Sequence, residues 1–376
     1  MTATAKLLQE LIALPSVNPA FVPAGDPRAG ERRVADFLAF TADRVGLEIE
    51  FQEVLPGRSN LLARLTPAGK VTQRILLAPH LDTVGIMSEA QLKPSARQGR
   101  LYGRGACDTK GSVAAMLSAL MSVAASRQRP QQTEIIFAGL VDEENNQSGS
   151  RALVKNKFQA DLAIVGEPTR LQVVTAHKGD LWLRLETRGK SAHGAKPHLG
   201  RNAVHAMARV VDALETDYAA QLRRRRHPLL GHATVNVGSI TGGRQPNIVP
   251  AECAITIDRR TLPGETEAGV RREINTLLRA RGLKATIADT KGAACLPMET
   301  DARRPLVRQF CRATGRGRTI GVDFFCDASV LAQGGIPGIV FGPGDIAQAH
   351  TADEWISLAS LEQGTRMLTR FLQSLP

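Results

Sequence analysis

What the chain has little of narrows the reading first. Its 376 residues include five cysteines, Cys107, Cys253, Cys295, Cys311 and Cys326, an odd number with no CxxC spacing. That argues against a disulfide framework and for a reducing compartment such as the cytoplasm. Aromatic residues make up only 4%, so base-stacking surfaces are scarce. The densest basic run, Arg223 to Arg226 followed by His227, has no interleaved aromatics and reads as a solvated helix end or loop. The net charge of +12 therefore informs on solubility, and no nucleic-acid partner is expected. No run approaches the ~18 apolar residues of a membrane span, so no membrane partner is expected either. The opening MTATAKLLQELIALPSVNP carries Leu7, Leu8, Leu11, Ile12 and Leu14 at helical spacing, with a glutamate interrupting it and no small-residue cleavage site. It reads as an amphipathic helix rather than a signal peptide.

The length suffices for two ordinary domains. The first 170 or so residues alternate strand and helix signals. Asp26 before Pro27 predicts a helix start, and Val34, Phe37, Leu38 and Val45 form its apolar stripe up to Gly46. LEIEFQEV reads as an exposed or edge strand, and SNLLARL, RILLAP, TEIIFAGLV and DLAIVG as strands. Thr109 to Ser126, rich in Ala, Met and Leu, reads as a buried helix. This is an α/β pattern: a mostly parallel sheet flanked by helices. From about Lys178 the order becomes β-α-β-β-α-β, the ferredoxin-like unit. It is an inserted α+β domain, because IPGIVFG and the helix near Leu358 to Leu372 return to α/β character. The expected division is residues 1–176 with 293–376, and an insert of 177–292, with hinges near Lys178 and near 291–297.

Short acidic and histidine motifs lie just past several of those strands. They are His80 and Asp82 in HLDTVG, Glu143 and Glu144 in VDEEN, and Glu167 in VGEPT; Asp108 follows GRGAC and His350 lies in QAHTADE. Alone, each is an ordinary surface or core residue. In an open α/β sheet, however, ligands bind beyond the carboxyl ends of the strands, and that edge gathers residues distant in sequence. His80 and Asp82 share a side if the strand runs through them, so Asp82 can accept the spare ring N–H of a ligating His80. Glu143 and Glu144, being adjacent, cannot face identically in extended backbone, which suits one ligand and one free base. His80, Glu167 and His350 as terminal ligands, Glu144, and a bridging Asp108 give an N/O set without thiolates. That set suits two divalent ions, zinc first and cobalt or manganese as alternatives.

These motifs resemble a known family. LPSVNP, HLDTVG, GRGACDTKG, DEE, GEPT, HKG, SAHGAKPHLGRNAV, GGRQPNIVP, DRRTLPGE, FGPGD and AHTADE follow in order through the chain. Together they are similar to the dinuclear-zinc amidohydrolases and exopeptidases that include acetylornithine deacetylase, succinyl-diaminopimelate desuccinylase, aminoacylase and glucarpidase. The resemblance implies one zinc on His80, Asp108 and Glu167 and another on Asp108, Glu144 and His350. It implies Glu143 as general base, Asp82 as the partner of His80, and the insert as lid and homodimer interface. His193 of one subunit would then help hold the carbonyl oxygen in the other's site, and Asn247 and Arg260 would bind the substrate carboxylate. Gly85, Thr109 and Asn146 depart from the residues the family often has, and none is a ligand. The expected activity is hydrolysis of the amide of an N-acyl amino acid by a metal-activated water, with a carboxypeptidase or dipeptidase as the alternative.

Overall fold

The computed structural model describes residues 1–290 and 295–376. Among them the chain folds as two compact units: Met1–Thr175 with Glu299–Ile320 and Cys326–Pro376, and Ala176–Met298 with Gly321–Phe325. The expected boundary at 292/293, and the start of the expected hinge at 291–297, lie outside the described residues.

Among the described residues the first unit is built on a nine-stranded sheet, six of whose strands run in the order Glu48–Leu55, Arg58–Leu65, Thr133–Gly139, Gln73–Pro79, Leu162–Gly166, Gly338–Val340. The last four are mutually parallel, and the first two add on as an antiparallel edge. Thr133–Gly139 and Leu162–Gly166 are buried along their whole length, as parallel strands covered on both faces must be. That double burial is why Ile135–Gly139 and Leu162–Gly166 read in sequence as continuous apolar runs rather than alternating ones. Glu48–Leu55 has no buried residue, in keeping with an edge position.

The helix Lys110–Ala124 is buried nearly all round, from Val113 through Leu120 to Val123. Helices Ala3–Ala13 and Leu358–Gln373 pack against it. Truncating a fully buried leucine there, Leu117→Ala, would cost about 2–5 kcal/mol. One expected boundary moves. The second helix runs Arg32–Asp43 instead of opening at Asp26. Asp26 closes a turn, accepting from the Arg28 amide at 2.8 Å and pairing with its guanidinium.

The second unit is a four-stranded antiparallel sheet in the order Thr234–Gly242, Glu252–Thr261, Gly179–Arg188, Thr286–Asp289. This is ferredoxin-like strand order. The helices Ala203–Ala213 and Glu267–Ala280 are capped by the side chains of Asn202 and Thr266. Their inner faces join Leu183, Leu185, Ile255 and Ile257 in a separate core. The segment Gly321–Phe325 is held in this unit by Lys178, whose Nζ lies 2.7 Å from Asp323. Among the described residues no helix is long and apolar enough to cross a membrane.

Candidate active site

The parallel strands of the first unit end at one edge, and the chain leaves that edge carrying charge. His80 follows Gln73–Pro79, still bridged to Leu140. Glu143 and Glu144 follow Thr133–Gly139, and Glu167 follows Leu162–Gly166. The acidic pair is not in extended backbone as expected. Asp142 has φ +66°, which turns the chain so that the amides of Glu143 and Glu144 both donate to Asp82, each at 3.1 Å. Asp82 thus anchors two motifs at once, because its Oδ1 is also 3.4 Å from His80 Nδ1. Asn18, from LPSVNP, donates to Asp82 at 2.7 Å and to Asp142 at 3.0 Å. Arg58 ties Asp142 to the buried Glu31.

Asp108 lies between the two imidazoles. Its Oδ1 is 3.1 Å from His80 Nε2 and its Oδ2 is 3.2 Å from His350 Nε2. Glu167 is 3.8 Å from His80 Nε2, and Glu144 is 3.2 Å from His350 Nε2. The structure therefore brings His80, Asp108, Glu144, Glu167 and His350 together, with one oxygen of Asp108 toward each histidine. Ligand atoms of His80, Asp108 and Glu144 lie within 4.8 Å of one another. His350 is the exposed member, in a loop at φ +61°.

The electrostatics are those of a buried acidic cluster with one exposed histidine. Burial pushes Glu144 up to about 7, helped by Asp108. Burial likewise lifts Glu143 and Glu167 well above the usual carboxylate range. Burial alone would lower His80, but contact with Asp108 and Asp82 raises it well above an ordinary histidine. Asp108 and Glu144 raise His350 to about 10. Burial opposes ionisation of Asp108, but the two histidines hold its carboxyl below the usual range. Glu144 Oε1 is buried with no hydrogen-bond partner among the described residues. A buried carboxylate oxygen without a donor is costly, and oxygen and imidazole ligands of this kind suit a divalent cation. The residues fit such an ion.

Several contributions to the site were not read from sequence, where Thr109 was noted only as a departure from the family. Glu354, 1% exposed, accepts from the amides of Gly105, Cys107 and Asp108 and from Arg104. Thr109 donates to the Gly166 carbonyl at 2.8 Å, joining the Asp108 and Glu167 loops. Asp327 is buried, accepts from Ser150, and is pushed by burial up to about 7. Asn18 and Glu354 do lie inside noted motifs, LPSVNP and AHTADE, and that is their only sequence signal. His193, Asn247 and Arg260 belong to the second unit. His193 and Asn247 are exposed on neighbouring loops, joined by the His193–Ile248 bridge and the Gly194 amide donating to the Asn247 carbonyl. Arg260 is partly buried and pairs with Asp258 at 2.9 Å. An open groove of about 750 Å³ in that unit, lined by Arg184, Arg188, Arg244 and Ile248, contains none of the predicted residues.

Known proteins resemble the chain over most of its length. Residues 76–374 match the model of peptidase family M20/M25/M40. The acetylornithine deacetylase of Proteus mirabilis is 30% identical, over 98% of this chain and 96% of that protein. Among solved structures, aminopeptidase PepT from Bacillus cereus superposes with a TM-score of 0.78 at 23% identity, covering 98% of this chain and 97% of that one. The Bacillus subtilis protein YXEP, described as a dinuclear metal binding peptidase, gives 0.72 at 12% identity, covering 98% and 96%.

Proposed function

The chain belongs to peptidase family M20/M25/M40, and from that premise we propose that this enzyme, a hydrolase of amide bonds, acts in the cytoplasm as a deacylase of N-acyl amino acids. The observation that carries the reading is the Asp108 carboxylate, one oxygen toward His80 and the other toward His350, with an unpartnered Glu144 oxygen beside it. His80, Asp108 and Glu167 would hold one divalent ion, and Asp108, Glu144 and His350 the other. Zinc fits this ligand set best, with cobalt or manganese as substitutes. Such ions would supply Lewis-acid chemistry, making water more acidic and an amide carbonyl more electrophilic.

The remaining roles fall to the chain itself. No described residue donates to the Glu143 side chain, so its oxygens are free to take the proton of the attacking water. Glu143 then delivers that proton to the amine as the C–N bond breaks, leaving a carboxylate and a free amine. Asp82 keeps His80 in one tautomer. We assign the second unit, within which the insert expected at 177–292 falls, as lid and homodimer interface, with His193 stabilising the partner site's developing oxyanion and Asn247 and Arg260 receiving the substrate carboxylate. Identity to acetylornithine deacetylases over nearly the whole chain favours an N-acetyl substrate. A hydrolysis screen with added zinc or cobalt tests this. N-acetyl amino acids should be the best substrates, ahead of N-succinyl compounds and dipeptides. Preference for dipeptides would make the enzyme an exopeptidase, and no hydrolysis of any amide would sink the proposal.

A further inference from the structure

We propose that Glu354 is a positioning residue that locks the loop bearing Asp108 to the loop bearing His350, and so sets the affinity of the site for its cations. The inference rests on the metal reading above. Glu354 touches neither imidazole. Its carboxylate instead collects the amides of Gly105 at 3.0 Å, Cys107 at 2.8 Å and Asp108 at 3.0 Å, and the guanidinium of Arg104 at 2.7 Å. Its own carbonyl accepts from the Gly103 amide at 3.0 Å. Four of the six amides from Gly103 to Asp108 thus donate to one residue, itself four positions after His350, while Arg104 donates to the Gln91 carbonyl and Ala106 to that of Gly103.

The surroundings extend the clamp. Trp355–Ser357 pairs antiparallel with Arg100–Tyr102, so the strands flanking both loops are one ladder. The Arg100 guanidinium sits over the Trp355 ring, 3.9 Å from its centroid. Gln91, nearly buried, donates to the Thr351 and Ala352 carbonyls and fixes the stretch between His350 and Glu354. Loop stability alone does not require a carboxylate here. Burying a charge costs more than burying an apolar plug of similar size, and this one lies beside an already acidic cluster. What a carboxylate offers is several amide hydrogen bonds taken at once, including the amide of the bridging residue itself. Asp108 then presents its two oxygens from a fixed backbone, and His350, on an exposed loop, is held to the same frame.

Glu354→Gln tests this on the whole protein. The substitution keeps size but turns one acceptor into a donor that faces either the Gly105 amide and Arg104 or the Cys107 and Asp108 amides. Zinc affinity is measured by competition with a chromophoric chelator, and folding by circular dichroism and melting with and without zinc. A folded variant whose zinc affinity falls about 10–100-fold, and whose zinc-induced rise in melting temperature shrinks accordingly, supports the assignment. Unchanged affinity overturns it. If that variant does not fold, Glu354→Asp keeps the charge and shortens its reach; weakened zinc binding then supports the clamp and wild-type affinity overturns it. Arg259→Met, in the second unit, should lower the melting temperature while leaving zinc affinity within about twofold. Equal loss of affinity there would mean that general destabilisation, not positioning, is being read. If the unaltered protein binds no zinc, the metal reading fails; if it binds two ions and Glu354→Gln binds them equally well, only the clamp fails.

Discussion

Each unit holds a buried charge cluster, and the two clusters are built in opposite ways. In the second, the guanidinium of Arg259 is fully buried and fully matched. It meets Glu265 at 2.9 Å and the Tyr218 hydroxyl at 3.2 Å, and Arg225 completes the group by pairing with Glu273 at 2.6 Å. In the first, the carboxylates of Asp82, Asp108, Glu143, Glu144, Glu167 and Asp327 surround the imidazoles of His80 and His350, and acid outnumbers base. Burial lifts several of those carboxyls out of their usual range. A matched buried charge is scaffold: it is complete as it stands. An unmatched cluster is stable in the ionised form only when something positive joins it, so it marks where the protein expects a cation.

The largest effect that would break this contrast is loss of the bridge. Asp108→Ala removes the carboxylate that faces both histidines, so both ions and all measurable hydrolysis should be lost; metal analysis showing full occupancy would remove Asp108 from the bridging role. Next comes Glu143→Gln, which keeps size and deletes the proton acceptor. Turnover should fall ~10²–10⁴-fold with metal content unchanged, and metal loss instead would mean the roles of Glu143 and Glu144 are exchanged. His193→Ala should lower turnover by ~10²–10³, again with full metal. Mixing it with Glu143→Gln protein sharpens the test, since a mixed dimer gathers both defects in one site and leaves the other whole. If labelled subunits exchange and no activity returns, His193 does not act across the dimer.

How much of this was legible follows from the same contrast. The core strands were readable because burial on both faces writes itself as uninterrupted apolar sequence, as in Leu162–Gly166. Among the side chains that converge, His80, Glu143, Glu144 and Glu167 were readable because they sit just past those strands, whereas Asp108 and His350 were read from their own motifs. The supporting residues were not. Glu354 meets Gly105, Cys107 and Asp108 across roughly 250 residues of chain, and a lone glutamate carries no local signature of three amide partners. Asp327 and Ser150 meet the same way. The false helix start at Asp26 has the opposite cause: Asp-Pro is a genuine cap signal, but Arg28 two residues on captures the aspartate and closes a turn instead. Local pattern names the groups available for hydrogen bonding, and neither a long-range partner nor a competing local one shows in it.

On the scaffold side the effects are on stability, not turnover. Arg259→Met should cost about 3 kcal/mol, the low end for breaking a buried pair, because Glu265 keeps the Leu262 amide and Arg225. Chemical denaturation measures it, and a cost below about 1 kcal/mol would show the network to be incidental.

The smallest expected effect concerns His177, fully buried in the second unit. Its Nδ1 lies 2.8 Å from the Lys178 carbonyl, which can only accept, so Nδ1 carries the proton and Nε2 is left with a lone pair. Nε2 has no hydrogen-bond partner among the described residues, and burial lowers the ring to about 4 from an ordinary value of 6.5. The folded state thus binds the second proton later than the unfolded chain does. Stability from this group is complete above about pH 6.5 and is lost as pH falls toward 4. One pKa unit is worth about 1.4 kcal/mol, so the loss is about 2 kcal/mol by pH 5 and about 3 kcal/mol below pH 4. His177→Asn keeps a donor for the Lys178 carbonyl and cannot titrate, so its stability should decline less than the wild type's between pH 7 and 5 by about that amount. The ring's own titration, followed by NMR, should have its midpoint near 4 both with and without added zinc, because no carboxylate shapes it. A midpoint near 6.5 would show the ring to be solvated. A midpoint that moves with zinc would mean that the second unit shares the charge balance of the first, and the contrast between matched and unmatched burial would have to be redrawn.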